Sequence, residues 1–353
     1  MTSAQRDSIG ATLLKVISVW GLLIVLVVLI IVFSLLKPDT FLTFFNMQSI
    51  LNNKSIQVLV ALAVMIPMAA NHFDLSAGFL LGISQVLAIG LQSSQGQGLP
   101  WEVTVIAVIG LGALVGLING LLVTRIGIDS FIATLGMGTI LYGLSAWYTG
   151  GQQVIGQLPE AFLAISGRLG DTFIPLPAVY VLIVGVVLWI VFEFQPLGRF
   201  LYVLGANPRA AELNGISAKR YVPLAFIASG TLAAFAGVVL QAQLQVGQSS
   251  VGQEYLLPAF TGALLGATSV RPGRVNVWGT VLAVAVLAVT VAGLNQLGAP
   301  FFVEPLFNGS TLIIAVGLAV SAARRRTQSS SEAQVAAFRA SAASEAPAPK
   351  SDA

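Results

Sequence analysis

The chain has 353 residues, of which 9% are charged, 56% are hydrophobic and 36 are glycine. A water-soluble domain carries about 25% Asp, Glu, Lys and Arg, so this composition excludes a soluble globular enzyme. A net charge of +3 from 17 basic and 14 acidic residues lacks the clustered basic face that nucleic acid demands, and the absence of cysteine removes disulfides, thiolate metal sites and cysteine nucleophiles together.

The scarce charges leave charge-free runs at 16–36, 75–101, 103–124, 130–159, 172–192, 222–253, 255–270, 275–303 and 305–323, with 55–73 added if His72 is neutral. A helix crossing about 30 Å of hydrocarbon needs about 20 apolar residues. The runs therefore predict an all-α, polytopic membrane protein of about ten transmembrane helices. They fall near 17–36, 56–70, 79–91, 103–123, 131–148, 174–194, 222–240, 255–268, 277–294 and 305–321. The first is too long for the apolar core of a cleavable signal peptide, and no Ala-x-Ala site follows it.

With ten spans and the N-terminus inside, only Lys37, Lys54 and Arg168 of the 17 basic residues face outward. Lys and Arg gather in cytoplasmic loops, so both termini are expected in the cytoplasm. The chain then divides into a cytoplasmic N-terminus at 1–15, a membrane domain at 16–323 with a long cytoplasmic loop at 195–221, and a basic stop and tail at 324–353. The tail is rich in Ala and Ser, has no wide apolar stripe, and is expected to be disordered. Ten spans split five plus five, and an odd number per half makes the halves antiparallel, as in inverted-repeat transporters.

The search for chemistry returns absences. No Gly-Lys pair exists for a phosphate loop, and a single histidine cannot build a zinc-hydrolase motif. No predicted span carries a carboxylate at its centre, where ion-coupled carriers place one. Glu193 lies at the inner end of the sixth span, as an interfacial charge, and Asp74 lies in the break between the second and third. No catalytic residue, metal or bound cofactor is expected, so a pump built on this chain would draw its energy from a partner.

The loop at 195–221 offers a docking element for that partner. Asn207 is an N-cap residue followed by Pro208 at the first helical position, and Gly215 is a natural stop. Together they predict a short, rigid cytoplasmic helix at 208–214, with small Ala210 and Ala211 between the two marks.

This loop also carries a family resemblance. Gly198-Arg199, Tyr202, Gly205-Ala206-Asn207-Pro208, Ala210-Ala211 and Gly215-Ile216 resemble the coupling segment of permease subunits from bacterial ATP-binding-cassette (ABC) importers of the ribose, xylose, galactose and autoinducer-2 class. Further stretches match in order: Phe73-Asp74-Leu75-Ser76-Ala77-Gly78, Asn119-Gly120, Gly127-Ile128-Asp129-Ser130 through Gly136, Leu265-Gly266-Ala267-Thr268-Ser269, and Gly279-Thr280. The likeness spans roughly 15–325. It departs at Asn71-His72, where the family usually has two glycines, and at Val270-Arg271, where a glycine pair is usual.

The resemblance implies a multi-pass inner-membrane permease that performs no bond chemistry itself. It implies a separate ATPase subunit, usually with two domains in tandem, which holds ATP and Mg. It also implies a periplasmic or lipid-anchored sugar-binding protein and a second permease, either an identical copy or a paralogue. By the same resemblance the ATPase-coupling residues are Gly198, Arg199, Tyr202, Gly205, Asn207, Pro208, Arg209, Ala210, Ala211, Glu212 and Gly215. The competing reading is a stand-alone secondary carrier or facilitator for a small neutral solute.

A neutral polyol calls for hydrogen-bonding rather than charged groups along its path. Candidates are Asn71, His72, Asp74 and Ser76 in the first break, Asn119, and Asn295 with Gln296 at the end of the ninth span. Plainer roles stand beside them: a helix N-cap for Asp74 and Ser76, and a packed imidazole for His72. The third and eighth spans are short and bounded by breaks, at 71–78 for one and around Gly262, Gly266 and 268–273 for the other, and short interrupted spans in corresponding positions mark transport sites. Gln241, Gln243, Gln245 and Gln248 at the outer end of the seventh span suit either a binding surface or a wetted loop. Gly110, Gly112, Gly116 and Gly120 on the fourth span suit close helix packing.

Overall fold

A computed structural model of the protein describes residues 3–93 and 98–317, with side chains from Val19 onward. The first half comprises α1 (Ser3–Leu36), α2 (Phe44–Met68), α3 (Ser76–Gly90), α4 (Trp101–Leu121) and α5 (Ser130–Thr149). After it come β1 (Val154–Ile155), α6 (Glu160–Leu163), α7 (Leu176–Glu193), α8 (Pro196–Ala206) and α9 (Pro208–Leu213). The remainder is α10 (Ala218–Leu244), β2 (Val246–Gly247), α11 (Val251–Gly266), α12 (Val277–Gln296) and α13 (Val303–Gly317).

Seven of these helices are long and apolar enough to cross a membrane: α1, α2, α4 with the π-turn that extends it to Ile126, α5, α7, α10 and α12. α3 and α13 are shorter apolar helices, and α11 has 16 residues. Strand structure among the described residues is confined to β1 and β2, which pair antiparallel with Val154 opposite Gly247. The protein is an all-α, multi-span membrane protein.

Two boundaries differ instructively from the sequence expectation. α2 starts at Phe44 rather than near 56, because a charge-free run marks only the stretch fit for hydrocarbon, while the polar turns around Asn52, Asn53 and Lys54 stay helical beyond it. The 195–221 loop holds α8 as well as α9. The buried residues of α8 are Gly198, Leu201 and Leu204, a stripe at every third position that leaves the other face wet. The expected disordered tail at 324–353 lies outside the described residues.

At the centre, α2 is buried on every side from Ser55 to Pro67. α10 packs against α4, α3 and α2, and α11 packs against α12, α2 and α3. Lipid supplies no hydrophobic drive between helices, so close approach through small residues has to hold them. Gly112, Gly116 and Gly120 recur every fourth residue on one face of α4. A Cβ on Gly112 would stand 2.5 Å from the Gly230 carbonyl oxygen, and one on Gly120 would stand 2.5 Å from the Pro223 Cα. Gly110, off that face, has nothing within 4 Å. Outward faces remain apolar, with Ile106, Ile132, Trp147, Leu182 and Ile313 all exposed, as a lipid-facing surface requires.

The packing has an internal exchange relation. α10 with α4 corresponds to α2 with α12, α10 with α3 to α2 with α11, and α3 with α4 to α11 with α12, and all six pairs are in contact. The two breaks that follow the central helices also match. Asn71 after α2 has φ 60°, and Gln245 after α10 has φ 59°. The counterpart of the break at 71–75 is therefore the segment from Gln245 to Ser250, before α11, rather than 262–273 after it. The sequence comparison missed this because Gln245 takes the left-handed conformation without the glycine that usually announces it.

Candidate functional site

The break between α2 and α3 places Asp74 inside the helix bundle, 1% exposed. An acidic side chain there needs hydrogen-bond partners, and α3 and α10 supply them. Ser76 donates to Asp74 Oδ1 through its Oγ at 2.5 Å and its backbone N–H at 3.1 Å, while Ser229 Oγ on α10 donates to Oδ2 at 2.7 Å. Asn119 Nδ2 on α4 donates to Ser76 Oγ at 2.8 Å. Asp74, Ser76 and Asn119 thus meet in one polar cluster that ties α3, α4 and α10. Asp74 also gives α3 the short-range backbone bond of a capping residue.

The same break is tied to α5. Phe73 N–H donates to Ser130 Oγ at 3.1 Å, Leu75 N–H donates to Thr134 Oγ1 at 3.0 Å, and Thr134 Oγ1 donates to the Phe73 carbonyl at 3.2 Å. Two motifs far apart in the chain, around Asp74 and from Asp129 to Gly136, therefore meet. Asp129 accepts from the N–H groups of Phe131 and Ile132 and caps α5. Asn71 is exposed, and the half-buried His72 lies 6.2 Å from the Phe226 ring, so neither joins the cluster.

Asn295 and Gln296 sit at the far end of α12, where Asn295 is exposed and Gln296 Oε1 accepts from Thr40 Oγ1 at 2.9 Å. The structure does not bring them to Asp74. Ser229 was missed by the sequence reading because one serine within an apolar run carries no signal of its own. Ser130 and Thr134 were legible only as letters of a motif.

On the loop side, Gly205 of α8 lies against Ala69 at the C-terminal end of α2. A Cβ on Gly205 would collide with the Ala69 carbonyl, and one on Gly198 with the Phe192 backbone. Tyr202 Oη donates to the Val275 carbonyl at 2.9 Å, and the Arg274 guanidinium lies 4.5 Å from the Tyr202 ring centroid. Burial pushes the Tyr202 phenol up to about 12, against a smaller opposing pull from Arg274. Arg271 pairs with Glu193 at the end of α7. These contacts make α8 a fixed base.

α9 projects from that base. Asn207 Oδ1 accepts from the Ala210 N–H at 3.0 Å, Pro208 opens the helix, and Gly215 takes φ 77° after its end. Ala211 is its buried residue, while Pro208, Arg209, Ala210, Glu212 and Leu213 are exposed. Arg209 and Glu212 are 3.9 Å apart on the open face, and Leu213 is 78% exposed there. Arg199 is exposed on the wet side of α8.

Residues 46–320 match the family model of the permease component of the branched-chain amino acid transport system. The chain belongs to this permease family. Similar proteins include a ribose import permease of Bacillus subtilis, 33% identical over 291 residues covering 82% of this chain and 89% of the relative. A galactose/methyl galactoside import permease of Haemophilus influenzae is 28% identical over 90% of this chain and 97% of its own length. A D-allose transport system permease of Escherichia coli is 30% identical over 85% and 90%. No solved structure matches the chain.

The glutamines around the end of α10 are more ordered than a wetted loop. Gln85 on α3 is fully buried, with Nε2 donating to the Val246 carbonyl and Oε1 accepting from the Gln248 N–H at 3.2 Å. Gln241 is fully buried beside them, and Gln243 Nε2 reaches Asn53 Oδ1 at 2.6 Å. They hold the segment between α10 and α11 as the Asp74 cluster holds its counterpart.

Proposed function

We propose that the chain is the membrane-spanning subunit of an ABC importer that brings a monosaccharide or related small polyol into a bacterial cell. A separate ATPase, with ATP and Mg on that subunit, would drive it from the cytoplasm. An extracytoplasmic binding protein would feed it, and a second copy or a paralogue would complete the pathway in the inner membrane. Both termini would lie inside, with ten crossings in two inverted halves.

The observation that carries this reading is α9. A capped helix with five exposed residues, mounted on α8 against the inner ends of α2 and α7, is a rigid lever with an open face. In this reading Gly198, Tyr202 and Gly205 fix the base, Asn207, Pro208 and Gly215 define the lever, and Arg199, Arg209, Ala210 and Glu212 meet the ATPase. The names of the relatives support a sugar. So does the interior, since an amino acid would need fixed partners for both its charges, and the one buried acidic side chain among the described residues is already hydrogen-bonded to Ser76 and Ser229.

Arg209→Glu tests the lever, because the side chain is 83% exposed and its loss leaves the fold intact. Charge reversal at such a contact is expected to lower ATP-driven uptake by about tenfold or more and to weaken co-purification of the ATPase, with membrane insertion retained. Unchanged uptake with normal ATPase association would refute the coupling role.

A further inference from the structure

The loop between α11 and α12, residues 267–276, is held rigid by its own side chains. Asn276 is 4% exposed, and its Nδ2 lies 3.1–3.2 Å from the carbonyl oxygens of Gly266, Ser269 and Arg274. Its Oδ1 accepts from the Gly279 N–H at 2.8 Å, so one amide staples both ends of the loop. Gly273 N–H donates back to the Ala267 carbonyl at 2.8 Å. Val270 takes φ 61°, a conformation that a β-branched residue keeps only where its surroundings over-determine it.

From this rigid loop, contacts run to three other helices. Val270 N–H and Ser269 Oγ both donate to the Val19 carbonyl of α1, at 2.9 and 2.7 Å. Arg271 pairs with Glu193, the last residue of α7, and Glu193 is only 14% exposed, so water and salt screen this pair less than one on the surface. Arg274 lies over the Tyr202 ring, and the Val275 carbonyl accepts from the Tyr202 hydroxyl. The Phe192 ring of α7 stands 5.4 Å from Tyr202, so this one side chain of α8 is gripped by α7 and the loop together. α8 itself packs on α7 and α10, whereas α1 packs on α12 and α12 on α11. The loop thus links α8 to the α1, α11 and α12 side of the bundle.

We infer that this loop is a second bearing for the α8–α9 lever, carrying displacement of α9 into α1, α11 and α12, with Glu193, Arg271, Tyr202 and Arg274 as its positioning residues. The inference rests on the importer reading above and adds to it the parts through which the lever acts. The four side chains work through α8 and need no contact with the ATPase.

The chain has no cysteine, so Leu213→Cys gives a single site for a spin label on the exposed face of α9. With the labelled full-length permease alone in lipid nanodiscs, Arg271→Glu should raise the mobility of the label, and the exchange pair Glu193→Arg with Arg271→Glu should restore it. The unlabelled permease is then placed in proteoliposomes with its ATPase and binding protein. There Arg271→Glu should lower uptake of labelled ribose or galactose per ATP hydrolysed by about three- to tenfold, with the ATPase still co-purifying, and the exchange pair should recover most of the loss. Tyr202→Phe keeps the ring and loses only the bond to Val275, so it carries the same comparison, with a smaller change, if Arg271→Glu fails to insert. A pair that merely held the fold would lower Tm and leave uptake per ATP unchanged. That result, an unchanged label mobility, loss of ATPase association, or an exchange pair no better than the single variant would each overturn the assignment. A wild type that takes up neither sugar with ATP would count against the importer reading, while the label on the permease alone still decides the bearing.

Discussion

Asp74 shows how an acidic side chain can be held inside a bundle this poor in charge. Its carboxylate is saturated by Ser76 and by Ser229, and Asn119 orients Ser76 in turn. Leaving a buried polar group without its partner costs about 1–3 kcal/mol, whereas removing a buried hydroxyl that has no partner costs little. Ser229→Ala should therefore lower the melting temperature of the purified protein clearly. Ser145→Ala, at a buried hydroxyl without a partner, should leave it unchanged or raise it. Equal shifts would mean that the Ser229 bond contributes nothing. At this scale the sequence was partly legible. Asp74, Ser76 and Asn119 were singled out by polarity within apolar runs and do meet, but Asn295 and Gln296 were chosen by the same criterion and end at the opposite end of α12. Polarity reveals that a residue needs a partner, and only the fold says which.

Among the elements, α4 and α10 show most directly what holds the bundle. Their backbones touch along Gly112, Gly116 and Gly120, where the next atoms are main chain and cannot move aside. Gly116→Ala should destabilise by about 1–3 kcal/mol through overpacking. Gly110→Ala, two residues before Gly112 but off the contact face and in open space, should be neutral or gain up to about 1 kcal/mol of helix propensity. Thermal unfolding of the two variants in detergent checks the contrast, and equal effects would contradict backbone-to-backbone packing. The glycine spacing was visible in the sequence, and so was α9, whose Asn207-Pro208 start and Gly215 stop are local chemistry. α8 was not visible, because its narrow buried stripe is completed by α2 and α7 rather than by its own neighbours. The match between the breaks after α2 and α10 was hidden for a similar reason, since Gln245 is held in its strained conformation by the surrounding glutamines.

For the whole molecule, the importer reading assigns different tasks to the two ends of the helix bundle. One end carries α8 and α9 with the exposed Arg209, Glu212 and Leu213, and the other carries the buried glutamines Gln85 and Gln241. Between them run α2 and α10, the most buried spans, each followed by a break held by polar bonds, so α9 has a continuous packed route into the bundle through α8 and α10. Such a route serves an ATP-driven importer and is superfluous in a carrier that works alone. The most direct measurement is uptake of labelled ribose or galactose into proteoliposomes holding the permease, with its ATPase and ATP inside and its binding protein outside. Uptake should require all three additions and vanish when ATP or the ATPase is omitted. Equal uptake by the permease alone, without nucleotide, would contradict the importer reading and favour a facilitator.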